Sequence, residues 1–155
     1  MLQVTKKIEY SLIALSYMRM REGRSISARE VAEHNGIPLS LTANLLKALA
    51  RKGLVATRRG AAGGYTLGRD MQDIRLGEVF SAVEGTVDLT PCCRENGEAG
   101  CDLVANCAIK SSIMQLNQLL SDVFRNMSLE EFFQLGQFPS PVKGRASAPV
   151  IPPVT

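Results

Sequence analysis

Several things are missing from this sequence, and each absence narrows what it can do. No apolar run approaches the length that crosses a bilayer, so no membrane span and no membrane partner is expected. The opening Met1-Leu2-Gln3-Val4-Thr5-Lys6-Lys7 has no apolar signal core; it reads as mature sequence, with a cytoplasmic location expected. There is no Cys-x-x-Cys and no βαβ pattern, which argues against a thiol oxidoreductase. The run Gly60-Ala61-Ala62-Gly63-Gly64 is not followed by Gly-Lys-Ser/Thr, which excludes a phosphate-binding loop. No internal repeat is present, and His34 is the only histidine.

Cysteine is absent until position 92, and then all four cysteines fall within sixteen residues: Cys92, Cys93, Cys101 and Cys107. A disulfide framework spreads its cysteines along a chain, so a tight cluster points to metal binding or redox chemistry. Charge is also uneven. Residues 1–75 hold 13 Lys and Arg against 6 Asp and Glu, a balance of +7, whereas residues 76–155 hold 5 against 9, a balance of −4. A basic first half suits a polyanion such as nucleic acid, although a solvated basic surface gives the same count. At 155 residues, 45% hydrophobic and 21% charged, the chain can build one core with an appended element.

The periodicities predict a mainly α fold with a small β-hairpin. A first helix is expected over 6–22, with Thr5 as N-cap and Ile8, Leu12, Leu15 and Met18 inward. Ser27-Ala28-Arg29-Glu30 reads as a capping box opening a short helix that ends near Asn35-Gly36. After the Ile37-Pro38-Leu39 turn a third helix is expected over 40–52, with Leu41, Leu45, Leu46 and Leu49 apolar and Gly53 ending it. Two helices joined by a short Gly-containing turn make a helix-turn-helix. The runs 54–59 and 65–67 flank the glycine-rich tip as a hairpin, which in this position is a wing. A helix is expected over 76–84, with Leu76, Val79, Phe80 and Val83 on one face. A long helix follows over 108–127. Its Ile109, Ile113, Leu116, Leu120, Val123 and Met127 are spaced 4, 3, 4, 3 and 4, a seam that with the flanking Leu119 and Phe124 can pack on its own domain and on a partner subunit at once; it is read as a dimerisation helix, with core burial alone as the alternative. Ser128-Leu129-Glu130-Glu131 opens a last short helix. The expected organisation is a winged helix-turn-helix over 1–84, a cysteine-rich loop over 85–107, the dimerisation and short helices over 108–136, and a disordered, proline-bearing tail over 137–155.

A recognition helix buries one face and offers short polar or basic groups on the other. Ser40, Thr42, Asn44 and Lys47 are read as lying off the leucine face, with Asn44 suited to adenine and Lys47 to guanine or phosphate. Arg58 and Arg59 lead into the wing tip, where an arginine suits a narrow minor groove. Arg29 and Arg51 are candidate phosphate contacts.

The pattern resembles a family of bacterial winged-helix regulators that includes IscR, NsrR and the rhizobial iron regulator RirA. The resemblance covers residues 1–135. It is carried by Thr5-Lys6-Lys7, Gly36-Ile37-Pro38-Leu39-Ser40, Lys52-Gly53-Leu54-Val55, the wing from Arg58 to Gly68, Gly77-Glu78-Val79-Phe80-Ser81-Ala82-Val83-Glu84, and Ser128-Leu129-Glu130-Glu131. It implies a homodimeric regulator, a repressor rather than an enzyme, that binds a double-stranded operator and senses its signal with an iron–sulfur cluster. The gaps of seven and five residues between Cys93, Cys101 and Cys107 resemble the iron-regulator branch. The close-paired ligands of zinc ribbons fit these gaps poorly. The resemblance implies Cys93, Cys101, Cys107 and Glu9 as ligands, Glu9 coming from the other subunit, for a [4Fe–4S] cluster. Cys92 and His34 are second choices, His34 with Glu9 and two cysteines suiting [2Fe–2S]. The alternative is a zinc-binding or cluster-free regulator that uses its thiols as a redox switch.

Overall fold

The computed structural model of the chain describes residues 4–60, 63–85, 88–93 and 106–136. Six helices and one hairpin follow in order: α1 (Lys6–Arg19), α2 (Ala28–Asn35), α3 (Leu39–Arg51), β1 (Val55–Arg58), β2 (Gly64–Leu67), α4 (Leu76–Val83), α5 (Lys110–Asn126) and α6 (Leu129–Leu135). The fold is mainly α with a small hairpin, a winged helix-turn-helix extended by a long C-terminal helix. No described helix is long and apolar enough to cross a membrane.

The helix starts follow the caps. Thr5, Ser27 and Ser128 each accept a hydrogen bond from a first-turn backbone amide. At Ser128 the box is reciprocal, because the Glu131 carboxylate accepts from the Ser128 backbone N–H at 2.8 Å. At Ser27 only half of the expected box forms. Glu30 instead accepts from the Tyr17 hydroxyl at 3.2 Å and pairs with Arg24 at 3.3 Å. A nearby tertiary partner wins over the local one. α1 also stops at Arg19, short of the expected 22, and Gly23 takes a left-handed φ of 80° within the turn that follows.

α2 ends on Gly36, left-handed at φ 65°, whose N–H returns to the Ala32 carbonyl. β1 and β2 pair antiparallel, Val55 with Leu67 and Arg58 with Gly64. Ile26 adds a third rung by exchanging backbone hydrogen bonds of 2.9 and 2.8 Å with Tyr65. That rung explains Gly64: a Cβ there would lie 2.7 Å from the Ile26 carbonyl oxygen. The hairpin strands are therefore stitched to the start of the helix-turn-helix.

The core joins Leu15 and Met18 of α1, Val31 of α2, Leu46 and Leu49 of α3, Leu54 and Val55, Ile74, Val79 of α4 and Leu129 of α6. α5 and α6 are fastened to it at one corner. Leu76 N–H donates to Met127 and Leu129 N–H to Ile74, both at 2.9 Å. Phe124 stacks on Phe80 with centroids 4.7 Å apart. At that crossing Gly77 lets the helices approach, since a Cβ would meet the Phe124 carbonyl oxygen at 3.2 Å.

The expected seam of α5 is split between two faces. Ile113, Leu120, Phe124 and Met127 are half-buried, Phe124 and Met127 packing against the core. Ile109, Leu116, Leu119 and Val123 are 62%, 48%, 57% and 48% exposed, and α5 has no fully buried residue. The residues of the second set lie seven and three or four apart, so they form one apolar stripe with no partner among the described residues.

Arg19 of α1 forks onto Glu130 of α6, its Nε 2.9 Å from Oε2. Hydrogen bonds from Arg19, and then Gln134, hold the Glu130 carboxyl below its ordinary value of 4.5. The Ser128 backbone N–H and then its hydroxyl do the same for Glu131. A carboxyl depressed by folding stabilises above its unfolded value and loses that contribution as pH falls through the folded one. Glu130→Gln should lower the melting temperature at pH 7, with the difference from wild type narrowing as pH drops below 4.5. Thermal melts at both pH values check this.

Candidate functional site

On α3 the buried side chains are Thr42, Leu45, Leu46 and Leu49. Thr42 was expected on the outer face, and the structure corrects this. It is 2% exposed, and its hydroxyl donates to the Pro38 carbonyl at 3.1 Å. Positions 42, 45, 46 and 49 are one helical stripe, so the threonine methyl completes the inward face while its own first turn satisfies the hydroxyl. Leu41, expected inward, is only half-buried.

The opposite face carries Ser40, Asn44, Lys47 and Arg51, spaced 4, 3 and 4, and all four are exposed. Arg29 is exposed in the first turn of α2. Arg58 closes β1, with Arg59 beside it, both exposed. Gly60 turns the tip at φ 113°, and a Cβ on Gly63 would lie 2.7 Å from the Gly60 oxygen. The wing turn thus admits little besides glycine at that position.

The second candidate centre lies where the chain passes from α4 to α5. Cys92 and Cys93 sit in a short 3₁₀ turn, Pro91–Cys93. Cys107 lies shortly before α5. All three are free thiols and half-buried. Cys101 lies outside the described residues. Cys93 lines a groove of about 580 Å³ with Lys52 at the end of α3, Ser81 of α4, and Asn117 and Arg125 of α5. The segment is tied to α5 by Leu89 N–H, which donates to Asn117 Oδ1 at 2.9 Å. The Thr90 hydroxyl lies 3.1 Å from Cys92 Sγ and 3.3 Å from Cys93 Sγ.

Glu9 and His34 are not brought to these thiols. Glu9 pairs with Lys6 at 2.8 Å and lines a different, mostly apolar groove with Leu12, Ile13, Phe132 and Phe133. His34 lies 4.6 Å, centroid to centroid, from Tyr17, whose ring also carries the Arg21 guanidinium at 3.7 Å. Among the described residues no three His, Cys, Asp or Glu side chains gather as a metal site.

The family model Rrf2, described as an iron-dependent transcriptional regulator, matches residues 4–134. The chain belongs to the Rrf2 family. It is 34% identical over 131 residues to the HTH-type transcriptional regulator IscR of Cronobacter sakazakii, covering 84% of this chain and 79% of that one. IscR of Escherichia coli is 33% identical over the same length and shares. Among solved structures, CymR, the global cysteine regulator of B. subtilis, superposes with a TM-score of 0.69 at 21% identity, covering 87% of this chain and 98% of that one. T. potens IscR gives 0.67 at 23% identity, covering 92% and 94%. These two establish the winged-helix fold. This Rrf2 chain is a DNA-binding transcriptional regulator and not an enzyme.

In this Rrf2 chain the donor chemistry suits an iron–sulfur group. Thiolates are the ligands such clusters take; the three described thiols are free and half-buried, and those of Cys92 and Cys93 lie beside the Thr90 hydroxyl. Sequence reasoning missed Thr90, Asn117 and Lys52 as members of this region. Thr90, two residues before Cys92, was open to a local reading, because Thr at that spacing hydrogen-bonds forward. Asn117, a polar residue at a position where the half-buried stripe of α5 calls for an apolar one, was the signal for a buried tether.

Proposed function

We propose that this chain acts as a homodimeric repressor whose grip on operator DNA is switched by an iron–sulfur cluster. Cys93, Cys101 and Cys107 would hold the cluster, with Glu9 of the second copy as fourth ligand and [4Fe–4S] as the favoured type. Glu9 with His34 and two thiols is the arrangement that would suit [2Fe–2S]. Such a cluster supplies a bond network that depends on iron, redox state and nitric oxide. The working division is a DNA-binding unit over 1–84, a sensor loop over 85–107, a dimerisation unit over 108–136, and a tail over 137–155.

The observation that carries this reading is the position of the thiols on α5. Cys107 precedes its start, and Asn117 tethers the segment of Cys92 and Cys93 to its middle. Its far end is fixed to the reading head through Met127 and Phe124. The exposed stripe Ile109, Leu116, Leu119 and Val123 lies between. A loop that is ordered or released at one end therefore acts on the helix that sets the separation of two reading heads. Those heads must sit about one DNA turn apart, ~34 Å, to read a two-fold operator. Native mass spectrometry of protein purified without oxygen tests the cluster and the dimer together. A dimer carrying four irons and four sulfides per chain supports the reading; colourless, iron-free protein with stoichiometric zinc supports the thiol-switch alternative.

Ser40, Asn44, Lys47 and Arg51 of α3 are the groups offered to the major groove, Arg58 and Arg59 the groups offered by the wing, and Arg29 a phosphate contact. Lys47→Ala should weaken binding by about 1–3 kcal/mol if Lys47 reads guanine, and should lower the salt slope by about one if it meets phosphate. Thr42→Val should leave DNA affinity unchanged and cost only about 1 kcal/mol of stability. Fluorescence anisotropy at several salt concentrations separates these outcomes.

A further inference from the structure

The Thr90 hydroxyl is placed between two sulfurs, 3.1 Å from Cys92 and 3.3 Å from Cys93. A hydroxyl has one proton and two lone pairs. It therefore donates to one sulfur and can at most accept from the other. Its position is not that of a loose surface side chain. The Cys93 N–H donates to the Thr90 carbonyl at 3.0 Å and closes the turn. The preceding residue, Leu89, is held to Asn117 of α5 at 2.9 Å. Both threonine and thiols are half-buried, so bulk water competes only in part for the hydroxyl.

The two sulfurs are not equivalent. Cys93 lines the groove in which three cations, Lys52, Arg75 and Arg125, stand with two carboxylates, Glu78 and Asp88, whereas Cys92 does not line it. Cations outnumber carboxylates in that groove, which favours electron-rich sulfur on its side, and a hydroxyl proton is drawn to the more electron-rich acceptor. We propose that Thr90 is a positioning residue for the sensor: its hydroxyl hydrogen-bonds the Cys93 sulfur when Cys93 serves as a cluster ligand, and so selects Cys93 over Cys92. The selection leaves the Cys92 thiol as the donor to the Thr90 oxygen and outside the ligand set. This rests on the cluster reading above.

Hydrogen bonds to ligand sulfurs are one of the levers that set the potential and retention of an iron–sulfur centre. A donor favours the more electron-rich, reduced form, so its removal should make the centre harder to reduce. The test uses the full chain, purified without oxygen, as wild type, Thr90→Val and Thr90→Ser. Valine keeps the shape and removes the hydroxyl, and serine restores it. Thr90→Val is expected to bind iron, to show a midpoint potential more negative than wild type, and to lose iron to a chelator about tenfold faster. Thr90→Ser is expected to return both towards wild type. In iron-free protein, iodoacetamide mapping should show the ratio of Cys92 to Cys93 labelling shift in Thr90→Val and revert in Thr90→Ser. A Thr90→Val protein with wild-type iron content, potential, chelator rate and labelling ratio would overturn the role of Thr90 and leave the cluster standing. Serine that fails to restore the potential would also overturn it, since shape and not the hydroxyl would then be responsible. If wild-type protein itself never holds iron, the cluster reading and this proposal fall together.

Discussion

Replacing Leu116 and Leu119 together with aspartate is expected to turn the proposed dimer into a folded monomer and to abolish high-affinity operator binding. Both side chains are about half exposed in the single chain, at 48% and 57%, so the monomer loses little by the change. In a two-fold assembly the same patch meets itself, and each leucine counts twice. Burying a fully exposed leucine side chain contributes about 1.5–3 kcal/mol; with about half of each already buried, four of them supply about 3–6 kcal/mol, and their loss weakens association roughly a hundred- to ten-thousand-fold. A buried, unpaired carboxylate adds to that cost. Sedimentation should show a monomer with wild-type helical content. A dimer of unchanged affinity would mean that α5 pairs through another face, and the whole geometry of two coupled reading heads would have to be redrawn.

The second large effect concerns the thiols. Replacing Cys93, Cys101 and Cys107 by serine is expected to remove the visible absorption of anaerobically purified protein and to make DNA affinity indifferent to iron, oxygen and nitric oxide. Serine oxygen is a hard, weakly acidic donor and does not replace thiolate at iron. Cys92→Ser alone is expected to keep the colour, because Cys92 stays off the groove that Cys93 lines. The asymmetry between Cys92→Ser and Cys93→Ser is the sharper measurement. Equal loss in both would give the two adjacent thiols one shared role at the cluster and contradict the choice of Cys93 over Cys92.

Much of the scaffold was legible because caps and periodicity are local. Ser27 and Ser128 announce α2 and α6, Gly36 and Gly53 end α2 and α3, and the glycines at 60 and 64 mark the wing. What was not legible is which partner each apolar position faces. The 4-3-4-3-4 seam of α5 is a true helical pattern, yet Ile113, Leu120 and Met127 are half-buried in the single chain and Ile109, Leu116 and Val123 are exposed. Spacing fixes the angle around a helix and says nothing about what stands at that angle. Thr42 shows the converse. Its polarity suggested the outer face, although its spacing to Leu45, Leu46 and Leu49 placed it inward, and spacing was the better guide. Glu30 was read as a local cap, but its carboxylate serves Tyr17 and Arg24. Tertiary competition of that kind leaves no mark on four consecutive residues. The thiols were easy to find and their ligand set was not, since Cys92 and Cys93 differ only in which side of a short turn meets the groove.

The most direct measurement compares the same protein in two states. DNA fragments selected by the full chain would be titrated by anisotropy, without oxygen, against protein loaded with iron and sulfide and against the same protein stripped of both. The account predicts affinities that differ at least tenfold for one class of fragment, with dimers in both states. Identical curves for loaded and stripped dimers on every selected fragment would contradict it.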